Sequence, residues 1–257
     1  MDPRVSLLKA FYQGLPTDRI KVETLRYGFP FLDQLLAGGA TLEYGELTLA
    51  GTLHKYKLAG VPGHRVDELL QAHVAKECNV CLYFDGRASS LFCFNLDNNH
   101  RENSSAVIPE MDGVVRALRG HLSELGCAPL VIASGRGFHV WCRLENPVAN
   151  ANLHGFMVRC AARALAASFA EGGDHRRIKF NFYPDPRTDN AVSLRLFGSE
   201  HAKNGVFSHV LAPEGLLDEA ASWAWFEDHL SKRTVPAAVF ARAEETLLRL
   251  IPNAPAP

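Results

Sequence analysis

From Leu91 the chain reads LFCFNLDNNHR, and its strict alternation leaves room for little besides a β-strand. Successive side chains of a strand point to opposite faces. Phe92, Phe94 and Leu96 therefore share one face, and Cys93, Asn95 and Asp97 share the other. The first face demands a core. The second sets an amide and a carboxylate two residues apart on a strand that is otherwise too apolar for solvent.

The text on either side extends this into an α+β fold. Residues 80–84 and 91–96 read as two strands joined around Asp85-Gly86, a hairpin signal. Pro109 opens a helix with Glu110 and Asp112 in its first turn and Gly126 as its stop. Met111, Val114, Val115, Leu118, Leu122 and Leu125 give it one apolar face. APLVIAS and GFHVWCRL predict strands meeting at Gly135-Arg136-Gly137. An alanine-rich helix follows over 151–170, strands over 178–183 and 193–197, and helices over 217–231 and 236–250.

The order hairpin, helix, hairpin, helix, strands predicts a mixed or antiparallel sheet like that of an RNA-recognition motif (RRM), with flanking helices. One domain spans 1–250: an N-terminal flanking element over 1–64, a core over 65–212 and C-terminal helices over 213–250. Within the first element, SLLKAFYQGL and FPFLDQLLAGG read as helices and TLEYGELTLAGT as a strand. A further helix is expected over 66–75. The tail 251–257, IPNAPAP, has the composition of a disordered end.

Bulk properties narrow the function classes. The 257 residues are 47% hydrophobic and 21% charged, as in an ordinary soluble domain. No apolar run approaches the ~20 residues of a membrane helix. MDPRVSLLKAFYQG lacks the plan of a signal peptide, so no membrane partner and a cytoplasmic location are expected. A net charge of −1 argues against gripping long duplexes and leaves phosphate contacts to local clusters. Those clusters are Arg176, Arg177 and Lys179, and Arg187, Arg195 and Lys203. Cys78 and Cys81 have CxxC spacing near His73 but no second pair, which favours core thiols over zinc.

Three polar islands interrupt the strands. In the first, Asp97 is an acid at a strand end, a usual holder of magnesium, and Asn95 adds only a carbonyl oxygen. The second is SGRGFHVW. Gly135 and Gly137 let backbone amides turn toward an anion, and Ser134, Arg136 and His139 add hydrogen bonds and charge. The third is KFNFYPDPRTDNAVSLRLFGSEHAKNG, from Lys179. Arg195 and Lys203 there could reach a triphosphate, while Asn181, Asp185 or Asp189 could complete a metal site. No Gly-Lys-Ser/Thr loop supports a Walker NTPase, and FHVW holds one histidine where a relaxase-type pair needs two.

Taken in order, these islands resemble the archaeo-eukaryotic primase (primase-polymerase) superfamily over roughly residues 80–210. NLDNNHR is similar to its acid-apolar-acid strand, SGRGFHVW to its serine-to-histidine motif, and LRLFGSEHAKNG to the basic segment after its third motif. The resemblance implies a nucleotidyltransferase that makes short primers on single-stranded DNA from nucleoside triphosphates, using Mg²⁺ or Mn²⁺. Asn95, Asp97, His139 and Asp185 would hold the catalytic positions, with Asp97, Asn95, Asp185 and Asn181 around the metals. Ser134, Gly135, Arg136, Gly137, His139, Arg195 and Lys203 would hold the nucleotide.

The chain departs from that pattern where the first acid is Asn95. The third position holds Asn181 or Asp185, depending on register. Two amides in place of acids fit a branch that lost catalysis, or deliberate acid-to-amide changes. The alternative reading is thus a catalytically degenerate protein of the same fold. It would bind nucleotide or single-stranded DNA or RNA alongside a helicase or other replication, defence or mobile-element proteins.

Overall fold

Two antiparallel sheets divide the strands of the computed structural model, which describes residues 2–24, 32–47, 54–84, 87–98, 109–170, 172, 177–187, 193–201, 205–232, 235 and 239–240. The elements run α1 (Pro3–Phe11), β1 (Ile20–Thr24), α2 (Leu32–Ala37), β2 (Thr41–Leu47), β3 (His54–Ala59), α3 (Gly63–Val74) and β4 (Asn79–Tyr83). There follow β5 (Ala88–Asn98), α4 (Pro109–Glu124), β6 (Leu130–Ala133), β7 (Gly137–Ala149), α5 (Asn150–Ala170) and β8 (Ile178–Tyr183). Last come β9 (Ser193–Arg195), β10 (His209–Ala212), β11 (Gly215–Leu216) and α6 (Glu219–Lys232). The five-stranded sheet has the order β2-β3-β1-β4-β9 and the six-stranded sheet β11-β10-β6-β7-β5-β8.

The centre of the larger sheet is the RRM-like unit expected from the sequence. Its chain order is β5-α4-β6-β7-α5-β8 and its spatial order β6-β7-β5-β8, with every pair antiparallel. This is the split βαβ arrangement. Both helices pack on one face. Phe92, Phe94 and Leu96 of β5 meet the α4 stripe, Met111, Val114, Val115, Leu118 and Leu122, each fully buried. Burying each such side chain contributes ~1.5–3 kcal/mol relative to exposure. Phe156, Met157 and Cys160 of α5 complete that core. Gly126, at φ +86°, ends the α4 turn as its position in the sequence suggests.

One expected pairing is corrected. The strands at 80–84 and 91–96 do not form a hairpin, because β4 pairs with β1 and β9 while β5 pairs with β7 and β8. Val80–Tyr83 and Leu91–Phe94 are buried at every position. Each strand is therefore interior to its own sheet and takes both neighbours from elsewhere. The turn at Asp85-Gly86 lies outside the described residues, as do the tail and all of the 236–250 helix except residues 239 and 240.

The smaller sheet buries Ile20, Val22, Leu58, Val80 and Leu82 in one core with Val5 and Leu8 of α1 and Val66, Leu69 and Leu70 of α3. All six cysteines are buried free thiols. His73 accepts from the Val80 N–H at Nδ1 and donates from Nε2 to the Phe197 carbonyl, so its ring is committed to structure. No described helix is long and apolar enough to cross a membrane.

Candidate functional site

Each sheet turns a polar strand face toward the other. In the larger sheet Asn95 pairs in register with His139 of β7 on one side and with Asn181 of β8 on the other. Directly opposed residues of an antiparallel pair share a face. The three side chains therefore form one row across three strands. Asp97 starts the next row, between Gly137 and the exposed Lys179. In the smaller sheet Lys21, Cys81 and Arg195 form a corresponding row across β1, β4 and β9, with Glu23 two residues after Lys21.

Side chains from both sheets line a cleft of about 160 Å³: Lys21, Glu23, Cys81, Ser193 and Arg195 from one, Asn95, Asp97, Ser134, Arg136, His139 and Tyr183 from the other, with His201. Five of the sequence-predicted side chains, Asp97, Ser134, Arg136, His139 and Arg195, thus converge with Asn95. Asp185 stands apart in the turn after β8, where Arg187 binds it at 2.8 Å and His154 lies 3.6 Å away. The Arg187 side chain beside it holds the Asp185 carboxyl below its usual pKa despite some burial. Lys203, Asp189 and Arg176 lie outside the described residues.

The glycine motif is explained by backbone geometry. Gly135 has φ +92°, in the left-handed region that favours glycine. The Ser134 N–H donates to the Gly137 carbonyl at 2.8 Å and closes the turn. Gly137 lies so near β5 that a Cβ there would sit 1.9 Å from the Leu96 carbonyl oxygen. The turn can therefore bring Arg136 back over Asp97. Its Nη2 stands 3.4 Å from the Asp97 carboxylate and donates to the Asn98 carbonyl at 3.2 Å.

Charges in the cleft are paired, with one cation over. Lys21 holds Glu23 at 2.8 Å, and Arg195 stands 4.0 Å from the same carboxylate. Arg195 also donates to the Ser134 carbonyl at 3.5 Å, which ties the two sheets together. Burial opposes ionisation of Glu23, but Lys21 and Arg195 outweigh it and its pKa falls. Lys21, Arg136 and Arg195 thus face Glu23 and Asp97, three cations against two carboxylates. Burial, reinforced by Arg195 and His201, lowers the His139 pKa to about 3, so its imidazole is neutral at ordinary pH. Burial pushes the Tyr183 phenol up to about 12, against the opposing effect of its hydrogen bond with Asn95.

Lys21, Glu23, Tyr183 and His201 were not singled out from the sequence. In IKVET, Lys21 and Glu23 alternate with Ile20 and Val22, and nothing local shows that a second sheet covers the polar side.

The sequence matches no protein-family model and no curated protein. Among solved structures it is similar to the polymerase domain of Mycobacterium tuberculosis ligase D in complex with DNA, at 14% identity and a TM-score of 0.48, over 95% of this chain and 84% of that one. It is also similar to the AEP domain of the cyanophage S-2L primase-polymerase, at 13% identity and a TM-score of 0.36, over 89% of this chain and 95% of that one.

The donor set does not fit a resident pair of divalent ions. Hard cations of this kind take several oxygen ligands, and their affinity rises with the number of charged ones. Here two amides, Asn95 and Asn181, oppose each other. Asp97 is paired with Arg136 and Glu23 with Lys21. Among the described residues no group of three or more His, Cys, Asp or Glu side chains could hold a metal ion.

Proposed function

We propose that this cleft binds the phosphate chain of a nucleoside triphosphate, and that the chain is a nucleotide-binding protein on a primase-polymerase-type fold. The observation that carries the reading is the convergence of Lys21, Arg136 and Arg195, from both sheets, on a cleft in which position 95 is an amide. Surplus positive charge in a partly dry site favours a polyanion, and guanidinium forks suit phosphate oxygens. Ser134 and neutral His139 add hydrogen-bonding groups without charge. A volume of about 160 Å³ has room for phosphate groups, whereas whole drug-sized ligands occupy ~300 Å³ or more. The sugar and base would therefore lie outside the polar cleft, where a single-stranded nucleic acid could pair with the base.

Titration calorimetry with a nucleoside triphosphate, with and without EDTA, tests the reading. Binding is expected to persist in EDTA. It should fall at least about ten-fold in Arg195→Ala and in His139→Ala. It should survive Asp97→Ala, which releases Arg136 from a competing carboxylate. Absence of binding under both conditions overturns the reading.

Primer synthesis on single-stranded DNA is a second proposal, favoured by the Asp97 carboxylate among the cleft-lining groups. It requires synthesis from labelled nucleotides with Mn²⁺ that Asp97→Ala abolishes.

A further inference from the structure

Glu23 is out of place in a site for anions. Its side chain is only 9% exposed, and it lies between Lys21 at 2.8 Å and Arg195 at 4.0 Å. Lys55 of β3 stands opposite it in register and adds to the positive field around it. A carboxylate this buried is tolerated because cations surround it. By the same token, the cations are already occupied before any ligand arrives.

We infer that Glu23 is a specificity-determining residue, a built-in carboxylate with which any incoming anion must compete for Lys21 and Arg195. This rests on the phosphate-binding reading above and says which anions succeed. A single phosphate group that takes Lys21 and Arg195 leaves Glu23 buried beside a second negative charge. A longer phosphate chain spreads its charge toward Arg136 on the facing sheet, holds less of it beside Glu23, and so suffers less of that repulsion. The cleft therefore discriminates by chain length and selects triphosphates over monophosphates and free phosphate. Discrimination of this kind works through a repulsive element as much as through new attraction.

The experiment measures affinities of inorganic phosphate and of tripolyphosphate for the whole chain and for Glu23→Gln. These probes carry no base or sugar. Glu23→Gln is expected to raise the affinity for phosphate at least ten-fold and that for tripolyphosphate by less, so the ratio between them shrinks. An unchanged ratio, weaker binding of both anions, or no anion binding by either protein overturns the inference. If both anions behave as expected but no nucleoside triphosphate binds, the inference stands and the nucleotide reading fails. Should Glu23→Gln not fold, as judged by its thermal transition, Lys21→Gln serves instead. It removes one contested cation, and the inference requires tripolyphosphate affinity to fall while preference for the longer chain persists through Arg195 and Arg136. Loss of that preference in Lys21→Gln overturns it.

Discussion

Asn95 stands directly across from Asn181, strand β5 against β8, on the face that Asp97 and His139 share. Each amide can lend a carbonyl oxygen, but neither brings the charge that attracts a divalent ion. Placing an acid at Asn95 should therefore change what the cleft binds. Asn95→Asp is expected to make nucleotide binding rise at least ten-fold on adding Mn²⁺, whereas the unaltered chain should respond little. Calorimetry with and without EDTA reads this difference. Equal metal responses in the two proteins would speak against position 95 as the cause.

Acid should destabilise the fold through two histidines. Burial lowers the pKa of His139 to about 3 and also lowers that of His73. Between the ordinary histidine value and these lowered values the unfolded chain binds more protons than the folded one. Stability therefore falls as pH falls through that window. At about 1.4 kcal/mol per pH unit, His139 alone accounts for a loss of about 2 kcal/mol on going from neutral pH to about pH 5. Urea unfolding at the two pH values checks this, and His139→Gln should flatten the dependence.

Two glycines should respond oppositely to alanine. At Gly137 the added Cβ meets the Leu96 backbone, which cannot swing aside as a side chain can. Gly137→Ala is expected to cost about 2–4 kcal/mol by overpacking and to disturb Arg136 over Asp97. Gly120 lies exposed in the middle of α4 with nothing within 4 Å of a new Cβ. Gly120→Ala should stabilise the chain by about 0.5–1 kcal/mol. Urea midpoints of the two variants should lie on opposite sides of the parent.

Salt should weaken the binding of nucleotide more than it weakens the fold. Lys21, Arg136 and Arg195 act on a charged ligand across partly open space, and mobile ions screen such contacts. The prediction is a clear loss of affinity between low and ~0.5 M salt, with a thermal midpoint that moves little. Parallel titrations and melts at the two ionic strengths decide it.

The sequence showed those parts of the molecule whose burial is one-sided. Asn95 to Asp97 alternate because Leu96 meets α4 and α5 while Asn95 and Asp97 line the cleft, so the polar face of the strand was legible. The stripe of α4 was legible for the same reason. Val80 to Tyr83 carries no such contrast, since both faces are covered, and a strand like that does not reveal its partners. The hairpin reading failed there. β1 gave no sign of its role: Lys21 and Glu23 alternate with Ile20 and Val22, and nothing local shows that the other sheet covers them. Half of the cleft was therefore hidden, because its polarity answers to groups more than 50 residues away along the chain.

Two residues beyond His139 on the same strand face, Trp141 packs against Phe11 of α1, against Tyr12 that follows it and against Phe84 just after β4. One indole thus sits between the sheet that holds Asp97 and the elements that carry the sheet holding Glu23. Its bulk sets the gauge of the gap. A change of volume at this one apolar position can widen or narrow the distance an anion must bridge, with every polar group left as it was.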